Sequence, residues 1–91
     1  LLDATGKIVA QHDGLDADAT TLQMGDVILQ RHVLTLPGTL LPGNYTLQVG
    51  MYRRGDGLRL ALPDGRDVLK LAHCEVGPIG SAALQCRLTD Q

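Results

Sequence analysis

The clearest pattern in the chain is an unbroken alternation over Asn44–Tyr52. Tyr45, Leu47, Val49 and Met51 fall on one side, and Thr46, Gln48, Gly50 and Tyr52 on the other. Side chains alternate across a strand, so a period of two predicts a strand with one face toward a core. Leu58, Leu60 and Leu62 alternate with Arg59 and Ala61 in an expected partner strand. Between them, Arg53-Arg54-Gly55-Asp56-Gly57 has the composition of a turn, and Pro63-Asp64-Gly65-Arg66 of the next one. Asp67–Val76 predicts a further strand. Leu69 and Leu71 face one way there, and Val68, Ala72, Cys74 and Val76 the other, which suits a strand inside a sheet.

The first part of the chain is less regular. Leu1-Leu2 reads as the end of a strand, Asp3-Ala4-Thr5-Gly6 as a turn, and Lys7–Gln11 as the return strand with Ile8 and Ala10 on one face. His12–Thr21 is small and polar and predicts a loop; Met24-Gly25-Asp26 predicts a turn. Val27–Leu36 predicts a long strand whose parity changes, because Val27 and Leu29 oppose Leu34 and Leu36. A bulge or bend between Gln30 and Val33 would reset the register. Pro37–Gly43 is a loop with a proline near each end. Gly77-Pro78 closes the patterned region, so the expected domain covers residues 1–78. Residues 79–91 form a tail open to three readings: unstructured, a short helix near Ala82–Leu84, or a final strand at Ala83–Leu88. About six short strands separated by turns predict an all-β chain, an antiparallel immunoglobulin-like β-sandwich.

Composition supports strands over helices. Nine Asp stand against a single Glu, and only two residues are Lys, so the usual helix-surface residues are scarce. A net charge of -2 gives no basic footprint, and nucleic acid is not an expected partner. No apolar run approaches the ~18 residues of a membrane span, and no signal-peptide pattern is visible. Cys74 and Cys86 could form one disulfide in an oxidising compartment or remain two thiols.

The stretch Leu1-Leu2-Asp3-Ala4-Thr5-Gly6-Lys7-Ile8-Val9-Ala10-Gln11-His12-Asp13-Gly14, then Arg31-His32, then Leu41-Pro42-Gly43-Asn44-Tyr45-Thr46-Leu47-Gln48-Val49-Gly50-Met51-Tyr52 carries a resemblance. It resembles the end of the extracytoplasmic C-terminal domain of bacterial multi-pass membrane glycosyltransferases related to dolichyl-phosphate-mannose protein mannosyltransferases, and the further strands such domains carry upstream imply that this chain is the later part of a larger sandwich. The resemblance covers roughly residues 1–78. It implies a non-catalytic accessory domain outside the cytoplasm, tethered by transmembrane helices of a parent protein. The implied partners are the membrane-embedded part of that parent and a glycan or acceptor protein. The family's catalytic acidic residues belong to membrane-embedded loops, so none is carried over here.

The residues themselves offer few chemical sites. Tyr45, opening the central strand after Pro42-Gly43, reads as a tyrosine corner with its ring in the core. Tyr52 and Gln48, with Arg53 and Arg54 in the following turn, are the expected ligand contacts; the competing reading is a solubilising hairpin tip. His12, His32 and His73, helped by Asp13, could converge across a sheet as metal ligands, but they lack a close pair such as His-x-His, and surface or core-edge histidines are the favoured reading. Asp13, Asp16 and Asp18 lack the order of a calcium loop and read as a solvated loop. No metal and no cofactor is expected, and no Ser/His/Asp or Cys/His catalytic arrangement is readable. Alternative readings are a free-standing carbohydrate- or protein-binding module and, least supported, a small hydrolase. Open sheet edges would favour a strand-completing homodimer.

Overall fold

The structure is a computed structural model and describes residues 1–15, 17–38, 40–78 and 84–89. Four strands form one antiparallel sheet: β1 (Leu2–Asp3), β2 (Gly43–Gly50), β3 (Val68–Val76) and β4 (Leu84–Leu88). Their spatial order follows the chain, β1-β2-β3-β4. The described residues contain no α-helix and a single 3-10 turn, Ala19–Thr21. The chain is therefore all-β, as its composition predicts. A second sheet, and with it a closed sandwich, is not present among the described residues.

β2 forms because its alternation is uninterrupted and its entry is fixed. Pro42 restricts the approach, and Gly43 adopts φ 143°, a backbone region that L side chains rarely occupy. β3 pairs along its whole length with β2, in register Tyr45↔Cys74 and Leu47↔Ala72, then Gln48↔Lys70 and Val49↔Leu69. The register skips Leu71, so β3 carries a bulge there. The bulge reverses the parity of β3 and puts Leu69 on the same face as Ala72 and Cys74. It also explains a pattern that reads as apolar on both faces. That reading is corrected: beyond the bulge one face carries Ala72 and Cys74, and the other carries His73 and Glu75. The backbone groups at the bulge are not left idle, since Thr89 N–H donates to the Leu71 carbonyl and Thr89 Oγ1 to the Lys70 carbonyl.

The register change expected at Gln30–Val33 is absent, because Val27–Leu36 forms no strand. Val27 and Leu29 stand almost fully in solvent, while Leu34 packs on the core. The conflict of parity is relieved by leaving the first pair outside, with no ladder in which a bulge could form. The return strand at Lys7–Gln11 is reduced to one bridge, Leu2↔Ile8. The Leu1 carbonyl accepts from both Val9 N and Ala10 N, at 2.9 and 3.4 Å. Two residues thus oppose one, which turns Ile8 outward and Ala10 inward instead of placing both on one face. Leu58–Leu62 is likewise not a continuous strand. It meets the extension of β2 at the bridge Tyr52↔Arg59, flanked by Arg53 N to Leu58 O and Leu60 N to Met51 O.

Of the three readings of the tail, Leu84–Leu88 takes the strand, as β4, so the sheet extends past residue 78. Ile79–Ala83, including Ser81 and most of the short helix weighed there, lie outside the described residues. β4 pairs with β3 as Cys74↔Cys86, Ala72↔Leu88 and Val76↔Leu84. Cys74 and Cys86 face each other directly and are joined by a disulfide, with Cα atoms 4.0 Å apart.

The core lies on one face of the sheet. Leu1, Ala10, Tyr45, Ala72 and Cys74 are buried, with Val9, Leu34, Leu40, Leu47, Val76 and Leu84 packed against them. What covers this face is irregular chain, the segments around residues 9–10, 34 and 40. Tyr45 is the largest buried side chain of the five, and its hydroxyl donates to the Leu41 carbonyl at 2.5 Å. That bond ties the Pro37–Gly43 loop to the strand it feeds, the geometry of a tyrosine corner.

Candidate functional site

The face opposite the core is polar across three strands. Directly paired residues point to the same side of a sheet, so the register assembles the surface in rows. One row is Asn44, Glu75 and Gln85. The next is Thr46, His73 and Arg87, and Gln48 with Lys70 makes a third. His73, Glu75, Gln85, Cys86 and Arg87 line a shallow open depression at the β3–β4 side. The His73 Nε2 and Glu75 Oε1 atoms lie 3.6 Å apart with both side chains about half exposed, and pair electrostatically only when the imidazole is protonated. At such exposure the pair contributes little to stability, about 0–1 kcal/mol.

This platform offers amide, hydroxyl, imidazole, carboxylate and guanidinium groups at spacings set by a rigid ladder. Such a set forms hydrogen bonds with a hydroxyl-rich or polar-chain ligand. Its lower end is shaped by Gly50. A Cβ at that position would meet Arg59 Nη1 at 2.9 Å and the Asp67 carbonyl at 3.1 Å. The missing side chain is what lets Arg59 lie over β2, next to its bridge partner Tyr52.

The expected contact residues are only partly gathered. Gln48 sits within the polar rows, and Tyr52 has the same parity two residues past β2, 48% exposed. Arg53 and Arg54 belong to the exposed turn beyond. Arg53 Nη2 is held by Asp56 Oδ2 at 2.7 Å, a contact local to the turn. Sequence reasoning missed His73, Glu75, Gln85 and Arg87 as a group. The signal was there, since the polar residues recur at every second position in both segments. It was unreadable without knowing that residues 84–88 are a strand.

Within the acidic loop, Asp18 makes local hydrogen bonds. Asp18 Oδ1 accepts from Thr20 N and Thr20 Oγ1, and its carbonyl accepts from Thr21 N and Thr21 Oγ1, so Asp18 caps the 3-10 turn. The Thr20 hydroxyl is the main reason its carboxyl titrates below the ordinary range, with the Thr20 N–H adding to it. Asp16 lies outside the described residues. Asp3 organises the first turn in the same way, its Oδ1 accepting from Thr5 N, Thr5 Oγ1 and Lys7 N. The Thr5 hydroxyl, then the Lys7 N–H, lowers its pKa.

The three histidines divide. His73 lies in the polar rows, while His12 and His32, twenty residues apart in sequence, meet with their Nδ1 atoms 2.7 Å apart. Among the described residues no group of three or more His, Cys, Asp and Glu gathers to hold a metal ion. No helix among them is long and apolar enough to cross a membrane. Comparison with known proteins finds no matching family, no similar curated protein and no similar solved structure.

Proposed function

We propose that this chain is a non-catalytic accessory β-domain of a membrane-bound, glycosyltransferase-like protein on the extracytoplasmic side of a bacterial membrane. Its apolar strap packs on the membrane-embedded part of the parent. The observation that carries this reading is the strap itself. Met24, Val27 and Leu29 are almost fully exposed, and Val33 is 60% exposed, in a segment with no strand partner. Exposed apolar groups in such a concentration mark a surface that another protein covers. The immunoglobulin-like sandwich belongs to the same proposal: Val27–Leu36 becomes a strand of the second sheet when that surface is in place. The disulfide supports the compartment, because such bonds persist where the environment is oxidising.

The test is binding of the chain to the detergent-solubilised parent lacking residues 1–91. The expected result is capture by the wild-type chain and at least about tenfold weaker binding by a V27K/L29K variant, equivalent to ~1.4 kcal/mol. No binding, or equal binding by both, would overturn the proposal.

A second reading is favoured by the polar rows: a carbohydrate- or protein-binding platform. Titration with mannose oligosaccharides would then shift NMR resonances of Thr46, Gln48, His73 and Arg87 together, and Tyr52 with them. Unchanged spectra would remove the glycan from this reading.

A further inference from the structure

We propose that His12 and His32 form an exposed two-histidine chelate for a divalent transition-metal ion that prefers square-planar or octahedral coordination, such as Ni²⁺ or Cu²⁺. The Nδ1 atoms face each other at 2.7 Å, with ring centroids 4.9 Å apart and planes inclined by 71°. Two ring nitrogens at this distance share one hydrogen bond, so one ring carries its proton on Nδ1 and the other presents a lone pair. When the donor ring moves its proton to Nε2 through solvent, both Nδ1 lone pairs become free, and a turn of the two exposed rings brings them to bear on one ion. The number of bound protons does not change, and the two imidazoles remain neutral ligands.

The separation selects the geometry. With metal–nitrogen bonds of about 2.05 Å, two cis ligands at a right angle stand about 2.9 Å apart, whereas tetrahedral ligands stand about 3.3 Å apart. The observed 2.7 Å lies nearer the right-angle value, so closure on a tetragonal ion needs the smaller movement. Among the described residues no third ligand completes a set of three, so solvent takes the remaining positions. Both histidines are exposed, and no buried charge has to be created. A bound ion would join the polar loop after Ala10 to the apolar strap, two segments that are twenty residues apart.

The experiment is calorimetric titration of Ni²⁺ into the untagged, EDTA-stripped chain, with His12→Ala, His32→Ala and His73→Ala variants alongside. One ion per chain is expected, with affinity lowered roughly 10²-fold in either His12→Ala or His32→Ala, since each leaves a single ligand. The His73→Ala variant retains wild-type affinity, and the double variant H12A/H32A is not much weaker than either single one. Zn²⁺ binds less tightly than Ni²⁺. Thermal melts provide a second readout, with Ni²⁺ raising the Tm of wild type and His73→Ala but not of the other two. Equal Ni²⁺ affinity in wild type and His12→Ala, or an equal loss in His73→Ala, would overturn the assignment. So would tighter binding of Zn²⁺ than of Ni²⁺.

Discussion

Tyr45 shows how a single residue links loop, strand and core. Its ring fills the inner face opposite Cys74, and its hydroxyl holds the Leu41 carbonyl. Tyr45→Phe removes only that bond, and a loss of about 1 kcal/mol in chemical denaturation is expected. Tyr45→Ala also opens a cavity and costs about 3–5 kcal/mol, as for other large aromatic truncations. A smaller loss for Tyr45→Ala than for Tyr45→Phe would contradict this placement. Gly50 is constrained by space instead of by φ. Gly50→Val presses on the Asp67 carbonyl and the Val68 side chain, and should destabilise by about 1–3 kcal/mol. Acid stability is also set at this scale. Asp3, Asp18 and Asp64 all have folded pKa values below the ordinary carboxylate range, Asp64 chiefly through the Arg66 N–H. Their contribution is complete above the unfolded value of about 4 and is lost as pH falls through the lower folded values. The melting temperature should therefore be level from about pH 7 to pH 5 and fall below about pH 4. Asp3→Asn should make that acid decline shallower.

At the scale of elements, the edge strand depends on its crosslink. Gln85, Cys86, Arg87 and Leu88 are all exposed, so β4 buries little and is held by its ladder, the disulfide, Leu84 and the Thr89 bonds. Joining residues 74 and 86 closes a short loop, and its removal should cost about 3 kcal/mol. Reduction, or C74S/C86S, should raise amide exchange first in 84–88 and only later in β2. Uniform loosening of the sheet would contradict that order. The strands that could be read from the sequence were those whose pattern is self-sufficient. The segment Asn44–Tyr52, which holds most of β2, has nine alternating positions bounded by Pro42-Gly43 and a turn, and β3 has a dense apolar set. The bulge was hidden because its cause is the pairing: Leu71 has no partner only once Leu47 and Gln48 are aligned with Ala72 and Lys70. β4 stayed one of three readings of the tail because two of its five residues, Gln85 and Arg87, are polar and its anchor is a cysteine twelve positions away. Val27–Leu36 has strand propensity in full, and the absence of a partner decides its state here.

The whole molecule is a sheet with one polar face and one face covered by irregular chain. Its Cα radius of gyration is 15.3 Å, against about 12 Å for a compact domain of this length. The apolar strap is the main reason to regard this surface as one that another protein completes. Replacing Val27 and Leu29 by Lys should change the stability of the isolated chain by no more than about 0.5 kcal/mol, because neither side chain packs on anything. A larger loss would mean that the strap is already part of the core. Both open edges bear on self-association: the outer edge of β4, and β2 beyond its two-residue pairing with β1. Sedimentation velocity would show a dimer that dissociates with V27K/L29K if a second copy covers the strap, and a monomer if the surface belongs to the proposed parent.

The most direct measurement is hydrogen–deuterium exchange of the amides of residues 27–36, in the isolated chain and in the proposed membrane-bound parent. An accessory domain completed by its parent predicts fast exchange in the isolated chain and strong protection in the whole protein, with β2 and β3 equally protected in both. Equal exchange of this segment in the two states would contradict the account.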